Sequence, residues 1–77
     1  MLRIYCDFNH GDEQGHYLLD TIGSLRDITP IESQLQPGLE VVLYDEELEV
    51  IAELKLNQGW MAVLKEDAIF RPIGESR

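Results

Sequence analysis

A long alternating segment followed by a glycine-containing turn constrains the fold of this chain more than any other feature. Along Leu48–Leu56, apolar side chains alternate with polar or charged ones, and Ile51 is the one interruption. Period-two alternation predicts a half-buried β-strand. The segment 57–59, Asn-Gln-Gly, follows directly and fits a three-residue hairpin loop whose last residue, Gly59, has a positive φ.

The turn and the apolar pattern specify the same strand register. The loop sets three cross-strand pairs, and both members of every pair belong to the apolar set: Leu56 with Trp60, Leu54 with Ala62, and Ala52 with Leu64. A register error of one residue would move every one of these side chains to the opposite face. We therefore predict an antiparallel hairpin over residues 48–64 whose apolar face lies in the core.

Weaker alternation indicates further strands on both sides of this hairpin. Apolar residues at 2, 4, 6 and 8 predict a first strand, with Cys6 facing inward and Asp7 outward. Residues 9–15 include no apolar side chain and predict a hairpin loop to a second strand over 16–20. A strand through Val41 and Leu43 precedes the central hairpin, and a last short strand is expected over 68–73, where Pro72 confines it to an edge or a terminus.

The segment between these strands contains a helix-start signal. Residues 29–32, Thr-Pro-Ile-Glu, match a capping box with proline at the first helical position, and Pro37-Gly38 provides a stop. A helical turn is therefore expected over residues 30–35. Residues 23–28 allow two interpretations: a continuation of the second strand after a bend at Gly23, which is the preferred one, or a helical turn begun by Ser24.

These elements predict the fold class. Seventy-seven residues make one small domain, 1–77, with a thin core. Five short strands in a flat sheet would leave one side of that core exposed, whereas curling the sheet buries its inner face. We predict a mainly β fold, either a small SH3-like barrel or a bent five-stranded antiparallel meander, with one short helical turn.

Two segments resemble parts of SH3 domains. Residues 41–45, Val-Val-Leu-Tyr-Asp, are similar to the motif that opens an SH3 fold, and residues 59–64 are similar to the strand that carries its ligand-binding tryptophan. The order is the same, but only fifteen residues separate Tyr44 from Trp60, and Glu46 stands where the second tyrosine of the motif would be. The resemblance implies a type of barrel, and recognition of proline-rich ligands does not carry over.

Charge excludes two classes of partner. The chain has 15 acidic and 6 basic residues, for a net charge of -9. It lacks a basic stripe to neutralise phosphates, so neither nucleic acid nor an anionic membrane surface is an expected partner. The acidic residues suit a protein partner with a basic surface. The single cysteine, Cys6, and a start that does not match a signal peptide predict a cytoplasmic protein.

The sequence favours an interaction module over an enzyme. Its serines have no nucleophile-elbow context, Cys6 is expected to be buried, and the acidic residues between 45 and 53 lie on a turn and an outward face, where nothing desolvates them. Large aromatic side chains are favoured at protein interfaces. The predicted partner-binding residues are three aromatics and two acids of the neighbouring turn: Tyr5, Tyr44, Trp60, Glu46 and Glu47. By parity Trp60 lies on the core face, which is its preferred position; its place at the end of the hairpin makes ligand contact the alternative.

A metal-binding domain is the alternative function. Asp7, His10, Asp12 and His16 lie within ten residues, and imidazole and carboxylate are ligands that zinc accepts. Their spacing matches no established metal motif, and a calcium loop starting at Asp7 would need glycine where Asp12 stands. A solvated polar loop is the competing interpretation of these residues. No other cofactor is expected.

Overall fold

The computed structural model describes residues 1–73 of the domain; the predicted domain extends to 77, so its last four residues lie outside the described part. The elements over the described residues are β1 (Arg3–Tyr5), β2 (Tyr17–Leu18), α1 (Ile22–Ile28), a 3₁₀ helix (Thr29–Gln34), β3 (Glu40–Tyr44), β4 (Leu48–Leu56), β5 (Trp60–Leu64) and β6 (Arg71–Pro72). The prediction of a mainly β fold with a short helix is confirmed.

The central hairpin has the predicted register. β4 and β5 are antiparallel, and the three pairs that the turn specified are all present. In the loop, Gln58 has φ 60° and Gly59 has φ 140°. The positive φ expected at Gly59 is therefore confirmed, and Gln58 occupies the left-handed region beside it.

The hairpin forms the middle of a curled sheet with the strand order β1-β3-β4-β5-β2, and β6 pairs with β4. β3 and β4 are antiparallel, with Tyr44 opposite Glu49. Asp45 holds the turn between them, since its Oδ1 accepts from the backbone N–H groups of Glu47 and Leu48, each at 2.7 Å. The sheet curls into a half-barrel, consistent with a small mainly β SH3-like fold.

The predicted hairpin between the first two strands is wrong. β1 runs parallel to β3, with Ile4 opposite Leu43, and β2 pairs instead with β5. The polar segment 9–15 does not join neighbouring strands, because it folds back locally and Gly11 forms a bridge with Tyr17. A Cβ atom at Gly11 would lie 2.7 Å from the His16 carbonyl oxygen, so glycine permits this close approach.

The preferred strand interpretation of residues 23–28 is also wrong, since they belong to α1. The Thr21 side chain caps this helix by accepting from the Ser24 N–H at 3.2 Å. The helical turn expected over 30–35 is confirmed as the 3₁₀ helix, but Thr29 does not cap it. The Thr29 hydroxyl donates to the Leu25 carbonyl at 2.7 Å, because the chain enters the 3₁₀ helix directly from α1.

The core lies on the inner face of the curled sheet. It comprises alternate residues of β1, β3, β4 and β5, covered by Leu19, Ile28 and Leu35. The predicted inward residue Leu56 is an exception, because the end of β4 projects beyond β3 and leaves its side chain 54% exposed. None of the helices within residues 1–73 is long and apolar enough to cross a membrane.

Candidate functional site

Two of the predicted binding residues meet on the outer face of the sheet. Tyr5 and Tyr44 are direct neighbours in the parallel pair of β1 and β3. Their ring centroids are 5.8 Å apart and the ring planes are at 87°, which is the edge-to-face geometry that aromatic quadrupoles favour. Both side chains are half-buried. The two rings form the centre of the candidate site, which we call the tyrosine pair.

Asp27 of α1 joins the helix to both tyrosines. Its Oδ2 accepts from the Tyr44 hydroxyl at 2.5 Å and from the backbone N–H of Tyr5 at 2.9 Å. The hydrogen bond to Asp27 raises the pKa of Tyr44, and partial burial and the negative charge of Asp27 raise it further. Sequence reasoning missed Asp27, because the preferred interpretation placed it on a strand.

Gly23 and Ser24 bring α1 against the edge of β1. The buried Ser24 hydroxyl donates to the Tyr5 carbonyl at 2.6 Å. A Cβ atom at position 23 would lie 2.5 Å from Cδ1 of the Tyr5 ring, so the missing side chain of Gly23 makes room for that ring. Together with Asp27, the Ser24 hydroxyl satisfies the outward N–H and C=O groups of Tyr5, and the edge of β1 is covered there.

Acidic residues surround the exposed side of the tyrosine pair. Partial burial raises the pKa of Tyr5, and the Glu46 carboxylate and the charges of Asp7 and Asp45 raise it further. Glu46 and Glu47 are both exposed on the turn between β3 and β4. Tyr5, Tyr44 and Glu46 therefore line one cleft, and Glu47 follows Glu46 on the exposed turn.

Two arginines border the same surface. The Arg3 guanidinium carbon lies 4.9 Å from the centroid of the Tyr44 ring, within cation–π range. Arg3 also donates to Glu49 at 3.0 Å, which fixes its position. Arg26 lines an open cleft of about 340 Å³ beside the tyrosine pair, together with Gly23, Asp27 and Glu46. One tyrosine of the pair thus already stacks against a cation.

Trp60 does not belong to this surface. It pairs with Leu56 at one end of β4, whereas Tyr44 pairs with Glu49 near the other end. Leu56 lies seven positions after Glu49 along β4, a span of about 23 Å. Trp60 is half-buried and packs against the core. Of the two predicted positions for Trp60, partner contact and core, its contacts fit the core position.

The four predicted metal ligands do not converge on one point. His10 Nε2 lies 2.6 Å from Asp20 Oδ1, and His16 Nδ1 lies 3.0 Å from Asp12 Oδ2. Asp7 accepts from the backbone N–H of Asn9 at 2.9 Å. Over residues 1–73, no three His, Cys, Asp or Glu side chains come close enough to hold a metal ion. The geometry therefore gives no support to the predicted metal site.

Asp12 organises the loop that carries these residues. It accepts from the backbone N–H groups of His16 and Gln14, each at 2.9 Å. The backbone hydrogen bond from His16 is the main cause that lowers the pKa of Asp12, and the His16 side chain adds to it. These contacts give the carboxylate a role in holding the turn.

The remaining nucleophile candidate is protected. Cys6 is fully buried beneath the sheet, and burial raises the pKa of its thiol to about 12, with a smaller effect from the charges of Asp7 and Asp45. A thiol with such a pKa is protonated at neutral pH and is a poor nucleophile. Its chemistry is that of a small apolar core residue.

Comparison of the chain with protein-family models, with curated proteins and with solved structures finds no significant match. The likeness to SH3 domains rests on two sequence segments and the curl of the sheet.

Proposed function

We propose that this chain is a non-enzymatic protein-interaction module that binds a basic segment of another protein through the tyrosine pair and the acidic turn beside it. The observation that carries the proposal is the arrangement of Tyr5 and Tyr44, which are edge-to-face at 5.8 Å with the Glu46 carboxylate next to them. Rigid aromatic rings provide contact area at low cost in conformational entropy, and carboxylates at the rim attract cations.

The contact between Arg3 and Tyr44 supports a cationic ligand. It shows that one ring of the pair accepts a guanidinium at 4.9 Å. A basic side chain of a partner would find the Tyr5 ring and the exposed Glu46 carboxylate in the same cleft as Tyr44. The net charge of -9 would also accelerate the approach of a basic partner, and added salt would weaken this effect.

The buried nucleophiles support binding in preference to catalysis. The Cys6 thiol lies in the core with a pKa raised to about 12, and the Ser24 hydroxyl is engaged by the Tyr5 carbonyl. Within residues 1–73, the contacts of both groups are structural: the thiol packs in the core and the hydroxyl joins α1 to β1. A single buried cysteine also suits a reducing compartment, and we propose that the protein acts in the cytoplasm.

A charge-reversal comparison tests the proposed site. Immobilised wild-type protein, Glu46→Lys and Glu13→Lys would be incubated with native lysate at low and high salt, and captured proteins identified by mass spectrometry. Glu13 is the matched control, because it is exposed and acidic but lies in the polar loop. We expect a partner that wild type and Glu13→Lys retain at low salt and that Glu46→Lys loses.

Binding between the purified proteins then gives the affinity. Reversal of a rim charge mainly slows association, so we expect Glu46→Lys to reduce the association rate constant, with a smaller salt dependence. The proposal fails if no specific partner is found at either salt concentration. It also fails if the partner binds Glu46→Lys as tightly as wild type.

A further inference from the structure

A groove on the outer face of the sheet is lined in part by Glu49, the residue opposite Tyr44. Its volume is about 380 Å³, and it runs between β3, β4 and the segment 65–71. Val42 and Ile51 lie in its floor as neighbours across β3 and β4, and Ile69 lies in its wall. We call this the outer groove. None of the sequence predictions included it.

We propose that the outer groove binds an aliphatic side chain of the same partner segment that places a cationic side chain on the tyrosine pair. This inference rests on the proposed function and specifies its ligand as an extended segment in which an arginine or lysine is followed two residues later by a leucine or isoleucine. The groove and the tyrosine pair would then act as two adjacent subsites of one binding surface.

The strand register sets the spacing between the two subsites. Tyr44 and Val42 are two residues apart on β3 and point to the same face, and Glu49 and Ile51 are related in the same way on β4. Residues two apart in a strand are separated by about 6.6 Å. An extended ligand that runs antiparallel to β3 therefore meets the tyrosine pair with one side chain and the groove floor with the side chain two residues later.

Two exposed isoleucines line the groove. Ile51 is 46% exposed and Ile69 is 68% exposed. Single exposed apolar residues are ordinary, but two that line the same concave groove form a site that an aliphatic group can fill. A groove of about 380 Å³ has room for such a side chain.

The charges of the two subsites match different ligand groups. The groove carries charges of both signs: Lys65 pairs with Glu40, Arg3 pairs with Glu49, and Asp67 and Arg71 also line it. At the tyrosine pair, the exposed Glu46 lines the cleft together with Arg26 and Asp27, and Glu47 is exposed on the same turn. A basic residue fits the acidic subsite and a neutral aliphatic residue fits the groove. A second copy of this chain is a poorer occupant, because two molecules of net charge -9 repel each other.

Short peptides of defined sequence test this ligand. The probes are Gly-Ser-Arg-Ser-Leu-Ser-Gly, the same peptide with serine in place of leucine, and a third with the leucine directly after the arginine. Each would be titrated into the ¹⁵N-labelled full chain and followed by NMR. We expect the first peptide to perturb the amides of Tyr44 and Ile51 and to bind about tenfold more tightly than the other two.

Two isoleucine variants test whether the tighter binding of the leucine peptide comes from the outer groove. Ile51→Ser should abolish the tenfold difference between the peptides, whereas Ile22→Ser should retain it, because Ile22 is 79% exposed on α1 and outside the groove. Both side chains are exposed, so both variants are expected to fold, and the NMR spectrum of each checks this directly.

The outcomes separate this inference from the proposed function. If all three peptides perturb Tyr44 equally and leucine gives no gain, the groove is not a subsite, while the tyrosine pair still binds cations. A gain that survives Ile51→Ser also overturns the groove proposal. Absence of any perturbation at Tyr44 counts against the proposed function itself. Sedimentation that shows a dimer, with Ile51 shifts dependent on protein concentration, would assign the groove to self-association and overturn the inference.

Discussion

Removal of the Asp27 carboxylate is expected to detach α1 from the tyrosine pair. One oxygen of Asp27 accepts from both the Tyr44 hydroxyl and the Tyr5 N–H. A hydrogen bond to a charged group contributes about 1.5–3 kcal/mol when it is well shielded from water. Because these groups are half-buried, water replaces part of both bonds in the variant. We therefore expect Asp27→Ala to lower the free energy of unfolding by about 2 kcal/mol.

That loss is a large fraction of the stability expected for a domain of this size, about 3–5 kcal/mol. Urea denaturation of wild type, Asp27→Ala, Tyr44→Phe and the double variant measures it. Tyr44→Phe removes the hydroxyl but keeps the ring, so the double-mutant cycle isolates the contact between Tyr44 and Asp27. We expect the cycle to give a coupling free energy of about 1 kcal/mol.

Tyrosine titration gives an independent readout of the same contact. The hydrogen bond to Asp27 is the main cause that raises the pKa of Tyr44 in the folded protein. Below the ordinary tyrosine pKa of 10.0 this contact contributes its full stability, and the contribution is lost as the pH rises through the higher folded-state pKa. Asp27→Ala should move the Tyr44 pKa back towards 10.0 in an ultraviolet titration. Zero coupling in the cycle together with an unchanged titration would refute the role assigned to Asp27.

Three further predictions concern the core and the central turn. Leu54→Ala should cost about 2–5 kcal/mol and Lys55→Ala no more than about 0.5 kcal/mol in urea denaturation, and the reverse order would contradict the assigned faces. Gly59→Val should lower the urea midpoint because valine resists φ 140°, and an unchanged midpoint would count against this reasoning. Cys6 should react with a thiol reagent at the rate of global unfolding, and rapid labelling of the folded protein would contradict its burial. The raised pKa of Cys6 also predicts that the free energy of unfolding decreases as the pH rises from 9.0 towards about 12.

The central hairpin could be predicted from sequence because two independent signals act over a short distance. The 57–59 loop fixes which residues are opposite each other, and the apolar alternation fixes which face is buried. Both signals involve residues that are close in the chain, so no knowledge of the rest of the fold is needed. The same reasoning failed at Leu56, since the burial of a strand end depends on which neighbouring strand extends over it.

α1 could not be predicted from its apolar residues, because only Ile28 of the three lies on its buried face. Ile22 and Leu25 are exposed, whereas Ser24 is fully buried by its hydrogen bond to β1. Helix periodicity read from hydrophobicity therefore points to the wrong side. The available local signal was Thr21, whose hydroxyl caps the helix by accepting from Ser24, three residues later.

The candidate site combines a predictable and an unpredictable component. Alternation alone assigns Tyr5 and Tyr44 to outward positions, and the sequence places acidic residues directly after Tyr44. Which outward residues become neighbours depends on the parallel pairing of β1 with β3. No local turn signal specifies this pairing, because the two strands are far apart in the chain. That pairing brings the two tyrosines together, while the length of β4 keeps Trp60 about 23 Å along the strand from them. Long-range strand order therefore decides which of the predicted aromatic residues can act on one ligand.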